Sequence, residues 1–138
     1  MGKKSARRSQ SSTFIKMAFL LDSNIIIYSY LNEFDFLRKL IIDQSCMVSE
    51  ISRIEVLGYH ALKKEEDKYF QDVFAYVPIL LPNQNIFNQA INLRKKYNLK
   101  LGDSLIGATA LVYNLNIYTR NTADFERIKD LKVFNPII

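Results

Sequence analysis

The stretch MAFLLDSNIIIYSYL, residues 17–31, decides how the rest of the chain is read. Met17 to Leu21 form an uninterrupted apolar run, the pattern of a strand buried on both faces. Asp22 follows at once. Ser23 and Asn24 then lead into Ile25, Ile26 and Ile27, and the spacing predicts a short helix over 24–31. A carboxylate is therefore set where the most hydrophobic strand gives way to a helix.

Outward from this stretch the chain keeps alternating. Helices are predicted over 34–43 (FDFLRKLIID), from a Ser49 cap to about Leu62, over 66–75, over 84–97, over 103–114 and over 123–130. KKEEDK at 63–68 reads as a solvated face. Between the helices lie strand candidates at 46–49 (CMVS), 77–81 (VPILL), 116–119 (NIYT) and 132–135 (KVFN). With 17–21 these make five. Strands separated by helices need crossovers, so the class is α/β, with a mainly parallel five-stranded sheet and helices on both faces. In such sheets ligands sit beyond the carboxyl ends of the strands, near the switch in strand order. Asp22 stands at such an end.

A chain of 138 residues that is 49% hydrophobic is expected to form one domain with a sizeable core. Cys46 is the single cysteine, which excludes an internal disulfide and makes a cytoplasmic protein the simplest reading. Apolar runs fall well short of the roughly 18 residues of a membrane span. The net charge of +5 is carried entirely by Lys3, Lys4, Arg7, Arg8 and Lys16, whereas residues 17–138 balance 14 basic against 14 acidic side chains. Residues 1–16 are set apart from the folded body, 17–138. They read as a cloning remnant or misassigned upstream start, a disordered basic arm touching RNA, or a targeting peptide; the apolar stretch of a secretory signal is missing.

Two acids break the pattern of their helices. In SEISRIEVLGYHAL (49–62), Ile51, Ile54, Gly58 and Leu62 share a face, and Glu55 lies on that stripe. In LGDSLIGATALVYNL (101–115), Asp103 shares a face with Ile106, Gly107 and Ala110, and the small residues allow close approach to the sheet. Asp103 is thus expected to point inward. Each acid has an ordinary alternative: Asp103 suits a helix N-terminus, and Glu55 suits a pair with Arg53 or a lysine. Together with Asp22, however, they share one remedy for their charge, a hard divalent cation such as Mg²⁺ or Mn²⁺. One histidine (His60) and one cysteine are too few for a zinc site. Past the strand at 116–119, TRNTADF (119–125) places Asn121 and Asp124 at another strand end, where a turn and helix cap are the alternative.

LLDSNIII, SEISRIEV, KLGDSLIGATAL and YTRNTADF, in this order and spacing, resemble a PIN domain, and within that family the VapC-type toxin ribonucleases of prokaryotic toxin–antitoxin pairs. The resemblance spans about residues 17–138. It implies a three-layer α/β/α fold with Asp22, Glu55, Asp103 and Asp124 as catalytic, metal-binding acids at the carboxyl edge of the strands. Asn24 and Asn121 match polar positions around that site, and Ser23 matches a small hydroxyl residue. Also implied are a homodimer and a cognate antitoxin whose C-terminal segment enters the active-site groove. In the implied chemistry, Mg²⁺ (or Mn²⁺) on Asp22 and Asp103 polarises the scissile phosphate and activates water. A second ion, recruited by Glu55 and Asp124, stabilises the leaving oxygen. RKKYNLK (94–100), with Lys96 and Lys100, is the candidate RNA phosphate track, a solvated helix end being its alternative. Arg120 is expected nearest the scissile phosphate.

Two other classes compete with this metal-dependent endoribonuclease. Phosphotransfer enzymes also place an Asp after the first strand. Haloacid-dehalogenase-like enzymes need Asp-x-Asp where this chain has Asp22-Ser23-Asn24, and receiver domains need an acidic pair upstream, where residues 1–21 contain no acid. The second rival is a PIN-fold module that grips RNA or protein without cutting. A missing acid would favour it, and none is missing.

Overall fold

A computed structural model describes residues 18–43 and 45–137. The basic segment 1–16, Met17, Gln44 and Ile138 lie outside the described residues. Strand β1 (Ala18–Leu21) is central, flanked in parallel by β2 (Ser45–Ser49) and β4 (Asn116–Tyr118). The short strands β3 (Ile79–Leu80) and β5 (Val133–Phe134) complete the order β3-β2-β1-β4-β5, with every pairing parallel.

The continuous apolar run of β1 is explained by its two-sided burial. Side chains alternate along a strand, so Phe19 and Leu21 enter one core while Leu20 enters the other. The first core receives α1 (Ser23–Ser29), α2 (Phe36–Asp43) and α4 (Lys64–Tyr76) through Ile25, Ile26, Leu37, Ile41, Phe70 and Phe74. The second receives α5 (Gln84–Tyr97) and α6 (Leu101–Tyr113) through Ile86, Leu93, Ile106 and Ala110. The result is the three-layer α/β/α arrangement expected. Asn83 caps α5 by accepting from Ile86 N, and left-handed Asn98 ends it, so its limits coincide with the expected 84–97. The tight approach allowed by Gly107 is to α5 and the segment around Ile128 rather than to the sheet: a Cβ there would meet Ile128 Cδ1 at 3.1 Å and Leu93 Cδ1 at 3.4 Å.

One helix differs from expectation in both length and orientation. Ser49 caps α3 (Glu50–Leu57) by accepting from Ile51 N, but the helix ends at Gly58 rather than near Leu62. Its buried face is Ser52 and Val56, while Ile54 is 60% exposed. The final short helix, α7 (Thr122–Phe125), anchors through buried Phe125 and is followed by turns, not by helix to 130. Among the described residues no helix is long and apolar enough to cross a membrane.

Candidate active site

The strand order switches at β1 and β4, neighbours whose outgoing chains diverge to opposite sides of the sheet. Asp22 lies at this point. Its backbone N–H continues the ladder by donating to Tyr118 O (2.9 Å), while its side chain caps α1 by accepting from Ser23 N (2.8 Å). The second carboxylate oxygen accepts from Thr119 Oγ1 (2.8 Å) and Asn24 Nδ2 (3.2 Å). Asp22 is only 7% exposed. Burial pushes its carboxyl up to about 6, and the charges of Asp103 and Glu55 add to the rise against the opposing bonds from Thr119 and Ser23.

Asp103 sits in the first turn of α6, half-buried. Its carboxyl is also raised, first by burial and then by Asp124, with a further contribution from Glu55 and a countering one from Lys100. The Asn121 amide bridges two of the acids, donating to Asp124 Oδ2 (3.0 Å) and to Asp103 Oδ2 (3.4 Å). Asn121 is itself fixed by donating its backbone N–H to Thr119 Oγ1 (2.9 Å). Asp124, on α7, also faces Arg127 at 3.6 Å, a solvent-exposed pair.

Glu55 reaches the cluster from α3 without being buried, as its place beside exposed Ile54 requires. Its Oε1 accepts from Ser23 Oγ (2.6 Å), and that hydroxyl lies 3.0 Å from the buried Ser52 Oγ. Its Oε2 rests against the bare Cα of Gly102, where a Cβ would come within 2.8 Å. The four acids thus surround the same strand ends. Ser23, Asn24 and Asn121 direct their polar atoms at carboxylates and hold them in place.

The cations divide. Lys100 stands at the N-cap of α6, close enough to lower the Asp103 carboxyl. Arg120 donates its backbone N–H to Asn24 Oδ1 (3.3 Å) and lays its guanidinium over Tyr28. Lys96 is elsewhere: it covers the Tyr97 ring and lines a groove with Gln89, Asn92 and Lys129 that contains none of the four acids. Arg94 is used structurally, donating to Leu99 O (3.2 Å) across the turn between α5 and α6.

Three residues of the site carried no signal in the sequence reading. Thr119 is fully buried between Asp22 and Asn121, Ser52 backs Ser23, and Gly102 makes room for Glu55.

The donor set suits a hard cation. All four acids offer oxygen, and the like charges that raise Asp22 and Asp103 would be offset by a divalent ion. Cys46 is buried in the core, its thiol pushed up to about 12 by burial, and His60 packs on Tyr59. Among the described residues no three His, Cys, Asp or Glu side chains gather tightly enough to cage an ion by themselves.

Known proteins resemble this chain in sequence and in fold. A Ribonuclease VapC of Rickettsia bellii (strain RML369-C) is 35% identical over 68 residues, which are 48% of this chain and 51% of that protein. The chain therefore matches about half the length of that curated relative. A toxin–antitoxin complex from Klebsiella pneumoniae superposes with a TM-score of 0.71 at 29% identity, covering 85% of this chain and 96% of the matched one. VapBC-1 from nontypeable Haemophilus influenzae gives 0.70 at 25% identity, covering 86% and 98%. The family model described as PIN domain matches residues 19–131, from the second residue of β1 to the approach to β5. Since that span takes in both cores and all four acids, the chain belongs to the PIN-domain family.

Proposed function

We propose that the protein is a divalent-metal-dependent endoribonuclease and the toxin of a toxin–antitoxin pair. The observation that carries this reading is the Asn121 amide that joins Asp103 to Asp124, with Asp22 fixed by Thr119 at the neighbouring strand end and Glu55 bonded to Ser23. Burial of Asp22 and Asp103 at this switch point is costly unless a cation joins them. The names of the relatives support the assignment of RNA and of an antitoxin partner.

Asp22 and Asp103 would hold Mg²⁺ or Mn²⁺, with Glu55 and Asp124 flanking them. When bound, the ion supplies Lewis-acid polarisation of the scissile phosphate and lowers the pKa of an attacking water. The chain's own residues do the rest. Thr119 and Ser23 N hold the Asp22 carboxylate at a fixed angle, and Asn121 keeps Asp103 and Asp124 from drifting apart. Lys100 and Arg120 attract the phosphates to the acidic edge, a contribution that weakens as salt rises. Lys96, in its separate groove, is at most a distal contact.

A homodimer is part of the proposal. Helices α3 and α6 touch. Each turns a large aliphatic residue outward, Ile54 and Leu101, both 60% exposed. A reducing, cytoplasmic setting fits the unpaired buried Cys46.

The purified protein is expected to cut RNA internally with Mg²⁺ or Mn²⁺ and to stop in EDTA. Undiminished cleavage in EDTA would refute the metal requirement. RNA binding without cleavage under any divalent ion would identify a silent PIN-fold binding module instead.

A further inference from the structure

Arg120 is one residue from Asn121 and donates its backbone N–H to Asn24 Oδ1, yet among the described residues its guanidinium forms an ion pair with none of the four acids. Its guanidinium lies over the Tyr28 ring, 4.6 Å from the centroid, and donates from Nη1 to the Tyr28 hydroxyl. Tyr28 is braced edge-on by Phe34 (5.3 Å, 84°), and Phe34 by Phe36 (6.3 Å, 69°). An unrestrained guanidinium gains most from a carboxylate. Cation–π attraction and a hydrogen bond here hold it away from the acids as an exposed, flat, charged plate.

The plate is tied to the acid cluster by a short relay. Arg120 N donates to Asn24 Oδ1, and Asn24 Nδ2 donates to Asp22 Oδ2. Tyr28 rides on α1, the short helix that Asp22 caps, so the plate and Asp22 are carried by one element. A flat cation backed by an aromatic ring suits a flat π-face with a negative group beside it, which describes a nucleobase and its phosphate. Bases within a duplex have both faces covered by their neighbours, so only an unpaired nucleotide presents one.

We propose that Arg120 on Tyr28 is a stacking platform for one unpaired base adjoining the scissile phosphate. The proposal rests on the nuclease reading and adds to it a role for Tyr28 and a planar one for Arg120. Charge alone would make Arg120 a phosphate contact replaceable by lysine. The platform makes it a planar contact that lysine cannot replace.

The test uses the full chain carrying Asp103→Asn, to block cleavage, and a short unstructured RNA with 2-aminopurine at single positions, free or annealed to its complement. Binding of the single strand should quench the fluorophore at one position, and the duplex should bind more weakly without quenching. Tyr28→Ala should weaken single-strand binding roughly 5- to 150-fold, the equivalent of about 1–3 kcal/mol per stacked base. Tyr28→Phe keeps the ring and should keep the quenching. Arg120→Lys keeps the charge on an exposed position and should lose it, which preserves the test if Tyr28→Ala fails to fold. Equal binding of single strand and duplex overturns the proposal, and so does quenching that survives both Tyr28→Ala and Arg120→Lys. Tight binding of an acidic peptide with no RNA binding also overturns it, in favour of a protein-docking surface. Metal-dependent cleavage by the wild-type chain is scored separately, so the platform can fail while the nuclease reading stands.

Discussion

Gly102→Ala places one methyl group hard against Glu55 Oε2. The new Cβ would sit 2.8 Å from that oxygen, against ordinary contacts beyond 3.4 Å, so the carboxylate must move by several tenths of an ångström at least. Glu55 is exposed and flexible, which makes the movement cheap for the fold. Replacing a helical glycine by alanine favours the helix by up to about 1 kcal/mol. Loss of the Ser23–Glu55 bond works the other way by about 1 kcal/mol. The metal-free variant should therefore melt within a few degrees of wild type. Its response to metal should differ. Removing a supporting group from a metal site typically weakens affinity 10- to 100-fold. At a Mg²⁺ concentration ten times the wild-type Kd, a tenfold loss reduces the metal-induced stabilisation from about 1.4 to about 0.4 kcal/mol. Thermal melts with EDTA and with Mg²⁺, paired with RNA cleavage, measure both quantities. A variant with the full wild-type response to Mg²⁺ and full cleavage would refute the placement of Glu55 as functional. A metal-free variant destabilised by more than about 2 kcal/mol would show that backbone, not the carboxylate, absorbs the methyl group.

Asp103→Asn removes one repelling charge at nearly constant shape. It should abolish cleavage, shrink the Mg²⁺-induced rise in Tm and leave the metal-free protein at least as stable as wild type; a capping Asp would instead lower metal-free stability by about 1 kcal/mol and leave cleavage intact. Thr119→Val deprives Asp22 of a donor and Asn121 N–H of its acceptor, and should cost about 1–3 kcal/mol together with cleavage, whereas Thr119→Ser should keep both, as melts and cleavage assays will report. The Asp22 carboxyl, at about 6 in the fold against an ordinary 3.8, binds its proton more tightly when folded. Its contribution to metal-free stability is thus fully present below about pH 4 and lost as pH rises through about 6, a cost of about 3 kcal/mol once ionised; Tm measured across this range should fall with pH in EDTA and rise with pH in saturating Mg²⁺.

Much of the site could be read from the chain because its chemistry disturbs local patterns. Asp22 interrupts a run that burial on both faces makes continuously apolar, and Asp103 opens a helix whose following turn is wholly buried. The structure brings Glu55 to Ser23 and the other acids, but not by the face that the apolar count predicted. Counting apolar residues put Ile54 inward, but the face that packs is Ser52 and Val56. A buried serine paired with Ser23 is invisible to a hydrophobic pattern, because what makes it inward-facing is a partner 29 positions away. Gly102 and Thr119 were missed for the same reason: their significance lies in what they touch. The edge strands were read as longer than they are, since β-forming composition continues through 77–81 and 132–135 while the ladders pair only two residues each.

The bond from Thr119 to Asp22 spans 97 positions, and that from Arg120 to Asn24 spans 96. Loop closure over such a separation is slow relative to local helix formation. During synthesis, a chain made as far as β3 already holds Asp22 and Glu55, but neither the β4 strand that aligns Asp22 nor the helix bearing Asp103. The central strand of the sheet waits for one of its two neighbours until residue 118 has been added. The acid cluster thereby waits for the chain as far as Asp124, so fragments released before that point would lack its geometry even where helices α1 to α5 have formed.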